Sequence, residues 1–257
     1  RAYFDDGTPL GTARADECRI DAIAQAWSVL SGRGDPDRAR RAMESVEEQL
    51  VRWDDGLIKL LTPPFDKMEH DPGYIKGYVP GVRENGGQYT HAALWVALAY
   101  ARLGDGDEAH SLLGLITPVG HALDRDAVRR YMVEPYAIAA DVYAKTPHVG
   151  RGGWTWYTGS AAWFHRVALR EVLGLRTEWA DGGRRLVVDP CVPKTWTSYR
   201  MTYRHGETDY AIEVRNPRGA NRGVARVSLD GQDLPGPGVP LEDDGRRHEV
   251  VVTMIGG

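Results

Sequence analysis

Two junctions in this sequence crowd together side chains able to do chemistry. "RENGGQYTHAALW" (83–95) and "GGWTWYTGSAAW" (152–163) each lead from two glycines, through aromatic and polar residues, onto the start of an apolar helical pattern. The unpaired N–H groups and dipole of a helix start attract an anion, and Gly159 lets backbone approach it closely. Thr158 adds a hydroxyl donor. His91, with an ordinary pKa near ~6.5, can donate to a phosphate and be held protonated by it. His91, Thr158 and Gly159 are therefore the expected phosphate-binding residues. Sugar rings stack on aromatic faces and carboxylates accept their hydroxyls. On that ground Glu84, Gln88, Tyr89, Trp156 and Tyr157 are the expected sugar contacts.

Each residue also has an ordinary reading. Thr158 is a good N-cap, His91 fits a satisfied core histidine, Trp154, Trp156 and Trp163 fit a core, and "ENGG" fits a turn. Their joint occurrence at two matching junctions favours the ligand. The acidic stretches "FDDG", "WDDG" and "EDDG" invite a paired-carboxylate reading, but adjacent acids followed by glycine are turn formers. The sequence contains no EF-hand, phosphate loop, dinucleotide fingerprint or Cys/His metal cluster, and "YTGSA" is not a nucleophile elbow. Neither a metal nor an organic cofactor is expected.

The chain of 257 residues is 42% hydrophobic, carries a net charge of −4 and intersperses its acids and bases. With no basic block, nucleic acid and anionic membranes are not expected partners. No apolar run approaches the roughly 18 to 20 residues of a membrane span. Cys18 and Cys191 lie far apart without metal-ligand spacing, which predicts free thiols and a cytoplasmic location. A chain opening on "RAYFDDGTPLG" reads as processed or as part of a longer protein.

Up to residue 174 apolar residues recur at helical spacing in three pairs. The first is "ECRIDAIAQAWSVLSG" with "DRARRAMESVEEQLV". "QYTHAALWVALAYARLG" is followed by "DGDEAHSLLGLI", and "AVRRYMVEPYAIAADVYA", kinked or restarted at Pro135, by "GSAAWFHRVALREVLG". The first member of each pair is the more apolar, as an inner ring of helices requires. Three such hairpins form an arc that six would close. Residues 1–174 are thus expected to be the second half of an (α/α)6 barrel. Long connections such as "LIKLLTPPFDKMEHDPGYIKGYVPGVRENGG" are expected to be functional. From 175 to 257 the period falls to two, with turns at "HGET" and Asp230-Gly231, predicting a small antiparallel β-sandwich domain.

The stretches "RAYFDDGTPLG", "TPPFDKMEHDPGYIKGYVPGVRENGGQYTHAALW", "VEPYAIAADVY", "GRGGWTWYTGSAAW" and "VVDPCVPKTW" together resemble the inverting β-glucoside phosphorylases of glycoside hydrolase family 94. The likeness is strongest to the phosphorylase-like C-terminal region of cyclic β-1,2-glucan synthases. It implies direct displacement: phosphate attacks the anomeric carbon of a β-linked gluco-oligosaccharide while an Asp protonates the leaving oxygen, giving an α-sugar 1-phosphate. It assigns His91 and Thr158-Gly159 to phosphate, a co-substrate, and the loop of Glu84 to the acceptor sugar. The family's general-acid motif, an Asp-Trp-Asn-Asp type stretch expected upstream of "RAYFDDG", has no match here, so no catalytic residue is assigned within the chain. The resemblance implies a fragment inactive alone, completed by the other part of the barrel, open to homodimerisation, and placed at the cytoplasmic side of an inner-membrane synthase. The alternative is a non-catalytic carbohydrate-binding or scaffold module, which would bind glucan independently of phosphate.

Overall fold

The computed structural model describes residues 2–156, 158–180 and 182–256. It is a mixed α plus β structure in two compact units, one of Arg1–Leu103 with Ser111–His165 and one of Gly104–His110 with Arg166–Gly257. Six α-helices lie among the described residues: α1 (Ala22–Leu30), α2 (Pro36–Leu50), α3 (Thr90–Leu103), α4 (Gly106–Ile116), α5 (Arg125–Tyr131) and α6 (Thr158–Arg166).

In the first unit local chemistry sets the helix starts. The Asp21 carboxylate accepts the N–H groups of Ile23 and Ala24 to cap α1, and Asp35 does the same for Arg38 in α2, where Pro36 occupies the first turn. α2 buries Ala39, Met43, Val46 and Leu50, one face at helical spacing. α3 is buried nearly all round, as its Ala, Leu and Val content requires, and α1 packs against both α2 and α3. Tyr100 ties α3 to α2 by donating its hydroxyl to the Met43 carbonyl at 2.9 Å. "FDDG" and "WDDG" form turns and "EDDG" a bend; the second closes the hairpin between Val51–Arg52 and Leu57–Ile58.

Two expectations need correction. The helix expected through "AVRRYMVEPYAIAADVYA" ends at Tyr131, where Met132 takes a left-handed φ of 54°. Beyond it the chain turns at Pro135-Tyr136, the Ala137 N–H donating to the Glu134 carbonyl at 3.1 Å, and Asp141–Val142 then pairs antiparallel with Gln88–Tyr89. Pro135 removes an N–H and disfavours helix for the residue before it. Segment 136–144 therefore completes its hydrogen bonds with neighbouring strands, and the third helical pair is incomplete.

The second correction concerns the β region, whose larger sheet is mixed rather than antiparallel. Its strands are β1 (Leu175–Ala180), β2 (Gly183–Val188), β3 (Ser198–His205), β4 (Thr208–Arg215), β5 (Val224–Leu229), β6 (Gln232–Asp233), β7 (Gly238–Pro240) and β8 (Arg247–Met254). A three-stranded sheet runs β7-β2-β1 and a five-stranded sheet β3-β4-β8-β5-β6. β4 and β8 pair in parallel, Asp209 opposite Arg247 through Arg215 opposite Thr253. Period-two patterning reports which face is buried, here Tyr210, Ile212, Val214, Val250, Val252 and Met254. It says nothing of a neighbour's direction. β8 arrives after β5, β6 and β7 rather than by a hairpin, so parallel pairing is open to it. The expected turns do form: His205 faces Thr208 across Gly206-Glu207, and Asp230-Gly231, both at positive φ, joins β5 to β6.

On β8, His248 lies on the Tyr210 ring, with Nδ1 2.7 Å from Asp230 and Nε2 3.3 Å from Asp244. The Asp230 hydrogen bond is the main cause raising its pKa; burial opposes it, and the Asp244 hydrogen bond adds to the rise. A histidine easier to protonate when folded stabilises the fold fully below its unfolded value and loses that contribution as pH rises through the folded value. The stability lost on His248→Gln should therefore be larger at pH 6 than at pH 8.5, measured by denaturant unfolding at both pH values; equal losses would contradict the assignment.

Candidate functional site

Three segments braid to make the site. Gln88–Tyr89 pairs with Asp141–Val142, and the Thr90 N–H donates to the Ala140 carbonyl at 2.9 Å. On its other edge the same strand receives residues 150–154: Ala140 N–H donates to the Trp154 carbonyl at 2.6 Å and Gly153 N–H to the Asp141 carbonyl at 2.9 Å. Both glycine-led junctions thus flank the segment around Asp141. Asn85, fully buried, fixes the approach to the first: its carbonyl accepts the Phe65 N–H at 2.7 Å while its amide donates to the Phe65 and Tyr78 carbonyls at 2.8 Å.

Beside this braid is a cavity of about 330 Å³, lined among the described residues by Arg83, Glu84, Tyr89, His91, Ala140, Asp141, Gly159 and Ser160. Asp141 is 3% exposed. Its Oδ1 accepts the Trp154 N–H at 3.0 Å, whereas Oδ2 is buried without a hydrogen-bond partner. Burial is the main cause raising its pKa, with the Glu84 charge adding to it and the Trp154 N–H and Arg83 opposing. Glu84 Oε2 is likewise buried without a hydrogen bond, and forms an ion pair with Arg83 Nε at 3.6 Å. The Arg83 guanidinium lies 5.1 Å from both the Tyr78 and the Trp154 ring centroids. His91 stacks on Tyr89 at 5.7 Å, ahead of Trp95 and then Trp163. Burial lowers its pKa and favours the neutral imidazole.

Two glycines are explained by these side chains. A Cβ on Gly153 would collide with the Asp141 carboxylate, and one on Gly159 would come within 2.6 Å of His91 Cε1. The sequence suggested that Gly159 gives a ligand room; in the fold it also makes room for the imidazole.

The structure brings together Glu84, Tyr89, His91 and Gly159, four of the residues singled out by sequence. Gln88 stands apart, in the core: its carbonyl accepts the Ile58 N–H at 2.9 Å and its amide donates to Thr90 at 3.3 Å. Trp156 is two-thirds exposed at a left-handed φ of 62°, its indole N–H donating to Glu134 at 3.1 Å. Tyr157 and the Thr158 side chain lie outside the described residues. Arg83 and Ser160 lie within the two junctions without having been assigned a role, and Asp141 lies outside both. The signal for Asp141 was a carboxylate inside the apolar run "AIAADVYA", since such a charge is buried only where a partner waits. Among the described residues no group of three or more His, Cys, Asp or Glu could hold a metal ion, and no helix is long and apolar enough to cross a membrane.

The sequence pattern of the glycosyl hydrolase 94 superfamily catalytic domain matches residues 1–174, the stretch that builds this cavity. The chain belongs to that superfamily. Among curated proteins it is 46% identical over 228 residues to the cyclic β-(1,2)-glucan synthase NdvB of Rhizobium meliloti, covering 89% of this chain and 8% of the synthase. It is 30% identical to solabiose phosphorylase of Paenibacillus borealis, covering 98% of this chain and 32% of that enzyme. Against N,N'-diacetylchitobiose phosphorylase of Vibrio proteolyticus the identity is 28%, with coverage of 99% and 31%. This glycosyl hydrolase 94 chain therefore spans about a third of the phosphorylases it matches and far less of the synthase.

The Asp141 carboxyl gives a stability test. Its folded pKa lies above the ordinary 3.8, so its ionisation withdraws stability as pH rises from the unfolded toward the folded value. Asp141→Asn keeps an oxygen for the Trp154 N–H and carries no charge. It should raise the melting temperature at pH 7, and the gain should shrink toward pH 4. A variant less stable than wild type at pH 7 would show that the buried charge is already compensated.

Proposed function

We propose that this chain supplies the phosphate side of the active site of an inverting β-glucoside phosphorylase. The observation that carries the reading is the single cavity faced by a neutral imidazole, a helix start and two carboxylates each with an oxygen that has no hydrogen bond. His91 and the first turn of α6 around Gly159 hold phosphate, Thr158 adding its hydroxyl; Glu84, Tyr89 and Trp156 face the sugar, with Tyr157 beside them. A phosphate oxygen attacks the anomeric carbon as the glycosidic C–O bond breaks, and its electron pair leaves on the aglycone oxygen. An Asp supplied from outside this chain protonates that oxygen, and the products are α-glucose 1-phosphate and a shortened saccharide. The reading needs no metal or organic cofactor. Residues 1–174 form the later half of an (α/α)6 barrel and 175–257 an accessory β domain, working in the cytoplasm on a β-linked glucan such as β-1,2-glucan. The names of the matched phosphorylases and synthase support this assignment.

A second reading, a glucan-binding module without catalysis, is favoured by the exposed rings of Tyr136 and Trp156, 6.0 Å apart. The two readings differ in their need for phosphate.

Protonation separates them as well. Burial keeps the free imidazole neutral, whereas a phosphate beside it favours the cation, so binding should draw a proton from solvent. Calorimetric titration of phosphate into the intact protein, in buffers of different ionisation enthalpy near pH 7.5, should show proton uptake that His91→Ala abolishes. The variant should bind phosphate about ten- to a hundredfold more weakly, since a hydrogen bond to a charged group contributes ~1.5 to 3 kcal/mol. Glucan binding without any phosphate binding would favour the module.

A further inference from the structure

We infer that Asp141 is a specificity-determining residue that reads one hydroxyl of the sugar bound in this cavity. The inference rests on the phosphorylase reading for the identity of the sugar, and on the braid for its geometry. Asp141 is held from behind: Oδ1 receives the Trp154 N–H, its strand is hydrogen bonded on both edges, and Gly153 lacks the Cβ that would displace the carboxylate. Only Oδ2 is left over, buried and unpartnered, on a residue that lines the cavity. Leaving a buried acceptor unpaired is costly, the more so when it is charged. A ligand that brings a donor recovers that cost.

The chemistry of the surroundings chooses the donor. Arg83, a cation lining the same cavity, is engaged by the Tyr78 and Trp154 rings and by Glu84. Phosphate does not fill the role at Oδ2, because that oxygen needs a hydrogen-bond donor and a phosphate offers mainly acceptors. No metal cluster exists among the described residues. A neutral hydroxyl donates without adding charge, and Glu84 Oε2, which faces Arg83 at 3.6 Å but has no hydrogen bond, offers a second acceptor. Two carboxylate acceptors on the wall next to an imidazole suit a sugar bearing a phosphate: hydroxyls toward Asp141 and Glu84, the phosphoryl group toward His91. A pocket built to accept from a hydroxyl rejects the analogue that lacks it far more strongly than an apolar pocket rejects a missing methylene.

The test measures binding to the intact protein of inorganic phosphate, glucose, α-glucose 1-phosphate and the 2-, 3-, 4- and 6-deoxy forms of both sugars. One deoxy position should weaken wild-type binding by about tenfold or more. Asp141→Asn should weaken α-glucose 1-phosphate by about ten- to a hundredfold, leave phosphate within about twofold, and no longer distinguish that deoxy form from the parent. A purely structural role would lower all affinities in step and leave the deoxy discrimination intact, which overturns the inference. Unchanged affinity of Asp141→Asn for the sugar phosphate overturns it too, as does a wild-type protein indifferent to every deoxy position. The last outcome needs no folded variant. Should phosphate fail to bind while glucose binds, the phosphorylase reading falls, and Asp141 is judged on the glucose series alone.

Discussion

A carboxylate buried with only one of its oxygens satisfied is the constraint around which the first unit is organised. Asp141 can sit where it does because Gly153 gives up a side chain, because the Trp154 N–H turns toward Oδ1, and because both edges of its short strand are occupied. The two junctions that stand out in the sequence are those two edges. Their glycines and rings serve one purpose, which is to bring backbone and aromatic surface close to the Asp141 carboxylate without giving its second oxygen a hydrogen bond. The long connection before α3 belongs to the same device, since Asn85 clamps it at Phe65 and Tyr78 just before the chain reaches Glu84's neighbours in the braid.

The site is costly to fold and suited to a polar ligand. Asp141 and Glu84 each keep a buried oxygen without a hydrogen bond, His91 is pressed toward its neutral form, and Trp156 holds a left-handed φ unusual for a bulky residue. Such departures persist where function requires them and the surrounding structure over-determines them. Here the surroundings are stiff: α3 is buried nearly all round, and Tyr89, His91, Trp95 and Trp163 form a continuous run of ring contacts from the cavity wall inward. A preformed wall of this kind loses little entropy on binding.

Much of this was legible in the sequence. Apolar residues at helical spacing gave α1 to α4, and period-two alternation with the turns at "HGET" and Asp230-Gly231 gave the β strands. Part of the cavity's lining was legible too: Glu84, Tyr89, His91 and Gly159 come from the two glycine-led junctions. The failures share a cause, which is that pairing partners distant in sequence leave no local pattern. Residues 136–144 have an apolar spacing compatible with a helix, yet Gln88–Tyr89 and the chain near Gly152 capture their hydrogen bonds. The direction of β8 beside β4, the core position of Gln88, and Asp141 itself depend on the same long-range contacts.

The most direct measurement of the central claim is a crystal structure of the intact protein with α-glucose 1-phosphate. The account predicts the phosphoryl group within hydrogen-bond reach of His91 and the first turn of α6, and one glucose hydroxyl within hydrogen-bond reach of Asp141 Oδ2. Sugar phosphate bound elsewhere, or bound here with Asp141 Oδ2 touching only protein or water, would contradict it.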